Sequence, residues 1–205
     1  MLTRAAARVS LRSRERKLRL FLELFRPGPE TTVVDVGVTD APFGGEGGSS
    51  DNFFEARYPW PRQITAVGHT GLDRFAAAFP EVTTVQADGR ELPFEDGQFD
   101  LGFSNAVVEH VAGGREAQRR FVSELCRVAR CVFVTTPNRW FPLDPHTLLP
   151  FAHWLPPGPA RERVFRARGF DDVLDPLGPG DLAELFPYRV RVLNRGMTLV
   201  AVGPV

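Results

Sequence analysis

Cysteine is scarce in this chain: Cys126 and Cys131 are the only two in 205 residues. Their spacing fits neither Cys-x-x-Cys nor a set of metal ligands, which excludes a disulfide-stapled scaffold and a thiolate metal centre. Both are expected reduced, Cys126 on the buried face of a helix and Cys131 at the start of a strand. Lysine is scarcer, with Lys17 alone among 25 basic residues, a bias assigned to base composition. Charge of one sign is not in excess either, because Asp and Glu also total 25. Overall charge therefore gives no argument for a nucleic-acid partner. No apolar run approaches the roughly 18 residues that a membrane span needs. The first arginines are not followed by the apolar core and small residues of a secretory signal. These absences leave a cytoplasmic enzyme or binding protein, with no membrane span and no nucleic acid expected. With 43% hydrophobic and 24% charged residues the chain is globular, and its length suits one well-buried domain.

Charge is nevertheless uneven along the chain. Residues 1–26 carry eight basic and two acidic residues, which leaves 17 against 23 in the rest. Leu11, Leu18, Phe21, Leu22 and Phe25 form one helical stripe, and Arg12, Arg14, Arg16 and Arg19 occupy the remaining surface. Residues 1–26 thus read as a basic amphipathic helix packed across the edge of a single domain, 27–205. Arg26-Pro27-Gly28-Pro29 ends it.

Strands then alternate with helices. Thr31–Gly37, Ile64–Val67, Val82–Gln86, Phe99–Phe103 and Val132–Thr135 read as buried parallel strands, with helices at Leu72–Phe79 and Arg115–Arg130. Such alternation predicts right-handed crossovers and a three-layer α/β sandwich. After a short helix at Asp181–Phe186, Tyr188–Leu193 and Met197–Val202 flank Asn194-Arg195-Gly196, so they form an antiparallel hairpin. Between these parts, 137–169 is rich in Pro with Trp140, Phe141, Phe151 and Trp154. It reads as a cap over the strand ends, with a short helix near Thr147–Trp154.

Three places carry chemistry. Asp35-x-Gly37 ends the first strand, where a ligand at the carboxyl edge meets the turn first. Asp88-Gly89 ends the third strand, and its carboxylate suits an exocyclic amine such as that of adenine. Asn105 and Glu109-His110 follow the fourth strand, with His110 as a proton acceptor at the mouth of the cleft.

The order VVDVG, then ADGRELPFEDGQFDLGFSNAVVEHV, ELCRVAR and CVFVTTPNRWFP resembles a class I S-adenosylmethionine-dependent methyltransferase from about Thr31 to Val202. TTPNRWFPLDPHTLLPFAHWLP is similar to a bacterial subgroup of these enzymes. The resemblance implies a Rossmann-like sheet of seven strands in the order 3-2-1-4-5-7-6 with the antiparallel hairpin at its end. It implies S-adenosylmethionine as cofactor. Asp35, Gly37, Val38 and nearby backbone would line its methionine end, Asp88 and Gly89 its adenine, and Asn105 would lie below the sulfonium. His110 or His146 would serve as base, while Asn138, Arg139 and Trp140 would shape the pocket of a small-molecule, glycan or secondary-metabolite acceptor.

The chain departs from the family pattern twice. Gly37 is followed by Val38-Thr39-Asp40-Ala41 in place of Gly-x-Gly. Asp40, Asp51, Asn52 and Glu55 are then the groups available for the cofactor's amine and carboxylate. No acid ends the second strand, where Gly68 leads into His69-Thr70-Gly71. His69 and Thr70 are left to meet the ribose, with Asp73 as a substitute acid. Both departures keep open a non-catalytic member of the fold that acts as a scaffold or partner subunit. An RNA methyltransferase using the basic helix and a dinucleotide oxidoreductase are disfavoured, the latter for want of G-x-G-x-x-G. A homodimer or a protein partner remains compatible with the sequence.

Overall fold

The computed structural model describes residues 2–41, 52–144, 149–156, 158–170 and 174–205, with side chains from Leu11 onward. Helix α1 spans Leu2–Phe25, longer toward its start than the apolar stripe indicated. Strand β1 is Val33–Val36, buried at every position as a central parallel strand must be. Then follow α2 (Phe53–Arg57), β2 (Ile64–Gly68), α3 (Asp73–Ala78), β3 (Thr83–Gln86), β4 (Phe99–Asn105), α4 (Gly114–Val128) and β5 (Ala129–Pro137). The chain closes with α5 (Pro159–Arg166), α6 (Pro179–Ala183), β6 (Arg191–Asn194) and β7 (Thr198–Gly203).

The seven strands form one sheet in the order β3-β2-β1-β4-β5-β7-β6, as expected. The first five are parallel, and β7 lies antiparallel between β5 and β6. From β1 the chain moves outward to β3, then returns to place β4 on the other side of β1. That reversal opens a crevice at the carboxyl ends of β1 and β4, where ligands of open α/β sheets bind.

Each face of the sheet carries its own core. One packs Phe121, Val122, Leu125 and Val128 of α4, with Leu182 of α6, against Val34, Val36 and Val132. The other packs Leu18 and Phe21 of α1, Phe53 and Phe54 of α2, and Phe75 of α3 against Val33, Phe103 and Phe133. Phe21 makes edge-to-face contacts with Phe54, Phe103 and Phe133 at 5.3, 5.6 and 5.6 Å between ring centres. Each such pair adds about 0.5–1.5 kcal/mol beyond the area it buries. Helix α1 is therefore fastened to the sheet by its last turns.

Several boundaries shift for physical reasons. Helix α4 stops at Val128 because Ala129 and Cys131 enter the ladder opposite Phe99 and Leu101. Cys126 and Cys131 are free and half-buried, and burial raises the Cys126 thiol to about 11. In the cap, the described part of the helix expected near Thr147–Trp154 forms a 3-10 turn, Ala152–Trp154, entered through Phe151 at φ 60°; Thr147 and Leu148 lie outside the described residues. The helix of this region is α5, whose first residue is Pro159, where a missing N–H is harmless.

Candidate functional site

The turn after β1 is held into the sheet. The backbone N–H groups of Gly37 and Val38 both donate to the Val67 carbonyl, at 2.8 and 3.1 Å. Gly37 has φ +109°, and a Cβ there would sit 2.2 Å from Val107 Cγ2. Only glycine fits that position. The Val38 side chain joins the core. The amides expected to face a ligand at this turn are therefore engaged with β2.

The rest of the loop is also committed. Asp40 Oδ1 accepts the Arg74 and Phe75 N–H groups at 2.8 and 3.0 Å, capping α3 from outside that helix. Asn52 accepts from Thr39 N and donates to the Thr39 and Ala41 carbonyls, at 3.2, 2.8 and 2.5 Å. Asn52 thus spends both halves of its amide within the loop, and Asp40 gives one carboxylate oxygen to α3. Asp51 lies outside the described residues. Asp73 is exposed in the first turn of α3, where its charge complements the helix dipole. Glu55 is different. It is buried on α2 against Asp35 of β1. Burial raises both carboxyls, and Glu55's charge raises Asp35 further, so both keep their protons to higher pH than an exposed carboxylate does.

At the end of β3, Asp88 receives the Arg90 guanidinium through Nε at 3.0 and 3.1 Å and Nη2 at 2.6 Å. It also accepts the Arg90 N–H at 2.9 Å, a turn-capping role. Arg90 holds its carboxyl down near 2, with a smaller contribution from His69. Asp88 is thus an ionised, acceptor-only group. Beside it opens a cleft of about 500 Å³ lined by Asp88, Arg90, Gly113, Glu116 and Arg120. His69 and Thr70 are exposed at the end of β2. Gly89 presses on α4, since a Cβ there would lie 2.5 Å from Phe121.

The end of β4 gathers a second polar group. Asn105 Oδ1 accepts from Thr135 Oγ1 at 2.8 Å and from Lys17 Nζ of α1. Two donors thus meet on that oxygen, which can accept both. Glu109 is fully buried, with Oε2 accepting from Thr136 Oγ1 at 3.0 Å. His110 Nε2 stands 3.9 Å from Glu109 Oε1, and its ring is 6.0 Å from Phe170 of the cap. Burial, with the nearby Arg14 charge, lowers the Lys17 amine to about 7, while Glu109 opposes that fall. Lys17 was missed because a lysine amid arginines reads as solvent-facing. Its register was the available signal: four residues before Phe21, it shares the docked face of α1. His146 lies outside the described residues.

Three residues expected at the acceptor pocket lie together in the cap. Asn138 donates to the Gly196 carbonyl at 2.9 Å and accepts the Trp140 N–H at 3.0 Å, tying the cap to the β6–β7 turn. Arg139 offers its carbonyl to His153 Nε2 at 2.8 Å and Trp154 Nε1 at 2.5 Å. Its guanidinium lies 5.6 Å over Trp140, which is 62% exposed. Among the described residues no group of His, Cys, Asp and Glu is placed to hold a metal, and no helix is long and apolar enough to cross a membrane.

Part of the chain matches a known family. Residues 59–131, covering β2 through the opening of β5, match the model of the Methyltransferase domain family. Two Mycobacterium tuberculosis proteins, each named "Probable S-adenosylmethionine-dependent methyltransferase", are 36% identical over 83 residues, 38% of this chain and 29% of theirs. The chain thus spans less than a third of the length of the curated relatives it matches. Among solved structures, an S-adenosylmethionine-dependent methyltransferase of Thermotoga maritima superposes with TM-score 0.58 at 15% identity, covering 91% of this chain and 86% of that one. A Burkholderia thailandensis 1,6-didemethyltoxoflavin-N1-methyltransferase, solved with its substrate and S-adenosylhomocysteine, gives 0.54 at 14% identity, covering 91% and 75%. The resemblance to class I S-adenosylmethionine-dependent methyltransferases is borne out, by the sheet order across the chain and by sequence over 59–131.

Proposed function

We propose that this chain is an S-adenosylmethionine-dependent methyltransferase acting on a small-molecule acceptor. The observation that carries the reading is the coincidence of the matched segment with the carboxyl edge of the sheet, where β2, β3 and β4 end beside the β1–β4 crevice. The residues at the nucleoside end fit the cofactor. Asp88 is an ionised acceptor suited to an amine donor, and His69 and Thr70 are exposed on the same rim to meet hydroxyls. Asn105 would meet the sulfonium end.

When bound, S-adenosylmethionine supplies a methyl group on a positively charged sulfur that already forms the leaving group. The chain's task is then to align the acceptor and exclude water, effects together worth up to about 7–11 kcal/mol in ideal cases. The aromatic cap, with Arg139 and Trp140 at its edge, supports a role in enclosing the acceptor. His110 supports proton handling on this rim, and the sequence places His146 in the same cap. A cytoplasmic setting and a bacterial source accord with this reading, as does a homodimer or a protein partner.

Calorimetric titration with S-adenosylmethionine and S-adenosylhomocysteine tests it. The reading expects saturable binding of both, weakened by Asp88→Ala. A second reading, a scaffold that has lost the cofactor, is favoured by the turn after β1, whose amides are given to Val67. Absence of binding at millimolar nucleoside establishes that second reading and removes the first.

A further inference from the structure

Helix α1 does more than cover one face of the sheet. Phe21, fully buried among Phe54, Phe103 and Phe133, fixes the last turns of the helix on the sheet. One turn earlier, Lys17 is carried to the carboxyl end of β4, where its Nζ donates to Asn105 Oδ1. Phe53 of α2 lies beneath, with its ring centre 5.9 Å from Nζ. The charged groups facing the amine are Arg14 from its own helix and Glu109 from the turn after β4. An amine held out of water beside one cation and one carboxylate is neutral over part of the physiological pH range, and a neutral amine has a lone pair to accept a proton.

Resting on the methyltransferase reading, we propose that Lys17 is the proton acceptor of the transfer site, taking the proton of an O–H or N–H acceptor as that atom is methylated. The acceptor's lone pair forms the bond to the methyl carbon as the carbon–sulfur bond breaks, with that bond's electrons remaining on sulfur. The proton passes to Lys17 Nζ, which becomes an ammonium and releases it to solvent before the next turnover. Asn105 orients the amine through its Oδ1, itself fixed by Thr135. This assignment puts Lys17, rather than His110, against the reacting atom, because Lys17 is the titratable group bonded to Asn105.

The sole lysine makes the test direct. Full-length protein labelled with 15N-lysine gives a single side-chain amine signal, which is titrated alone and with saturating S-adenosylmethionine or S-adenosylhomocysteine. Alone, the midpoint is expected near 7. A sulfonium beside Nζ disfavours a second positive charge, so the midpoint with S-adenosylmethionine should lie about one unit or more below that with uncharged S-adenosylhomocysteine. Equal midpoints in the two complexes overturn the role of Lys17 while leaving cofactor binding intact. A midpoint near that of an ordinary lysine in the free protein overturns it as well. Failure of both nucleosides to bind removes the methyltransferase reading, and this proposal with it.

Discussion

The carboxyl group of Glu55 on α2 is buried beside that of Asp35 on β1, and burial raises both. Both groups bind protons more tightly folded than unfolded. Their contribution to stability is therefore full below the ordinary carboxylate range and is lost as pH rises through their raised values. The urea midpoint should fall as pH climbs above that range, and Glu55→Gln should flatten the fall by donating an uncharged N–H to Asp35. Lys17 acts in the opposite sense at higher pH, because an amine lowered to about 7 regains stability between there and the ordinary lysine range. Lys17→Met should abolish that alkaline rise, which separates the two effects in one set of denaturation curves.

Asp40 caps α3 through the Arg74 and Phe75 amides. Asp40→Ala should cost about 1 kcal/mol, as loss of a cap usually does, while Asp40→Asn keeps an acceptor and should cost less. Because Oδ1 is given to α3, neither change is expected to alter S-adenosylhomocysteine affinity beyond the loss of folded protein. A large selective loss of affinity in calorimetry, with unchanged urea midpoint, shows that Asp40 serves the ligand after all.

The contrast between Asp40 and Lys17 shows what was legible in the sequence. The parallel α/β sandwich followed from β-branched runs alternating with amphipathic helices, and the closing hairpin from Asn194-Arg195-Gly196, since these are local signals; the strand order came from the family resemblance. The position of Asp88, two residues past β3, followed from the same local signal. The structural bonds of Asp40, Asn52 and Asn138 were not legible, because a short polar side chain in a loop reads alike whether it faces a ligand or caps distant backbone. Their partners, Phe75, Ala41 and Gly196, lie 35, 11 and 58 residues away. Lys17 bonds across 88 residues to Asn105, and nothing local to α1 announces that reach.

Phe21 fastens α1 to the sheet, so its removal should act on the site as well as on stability. Phe21→Ala in a fully buried aromatic cluster should cost about 3–5 kcal/mol. The change should also loosen α1, exposing Arg14, Arg16 and Lys17 to trypsin before the rest of the domain unfolds. Limited proteolysis at native pH checks this through the order of cleavage. Simultaneous cleavage of α1 and the sheet would mean that the helix has no separable docking step.

The turn at Gly37 combines two constraints that can be separated by mutation. Its φ of +109° disfavours any side chain, and Val107 fills the space where a Cβ would stand. Gly37→Ala should therefore lose about 1–3 kcal/mol from backbone strain, with a further loss from overpacking against Val107. In the double variant Gly37→Ala with Val107→Ala the overpacking is relieved and the strain remains, so the two changes should be non-additive, with a coupling of about 0.5–3 kcal/mol between contacting residues. Urea denaturation of the wild type, the two single variants and the double variant measures that coupling. Strict additivity would mean that the turn relaxes away from Val107 when the methyl is introduced. The amides of Gly37 and Val38 would then be released from Val67, and the turn would be mobile enough to face a ligand.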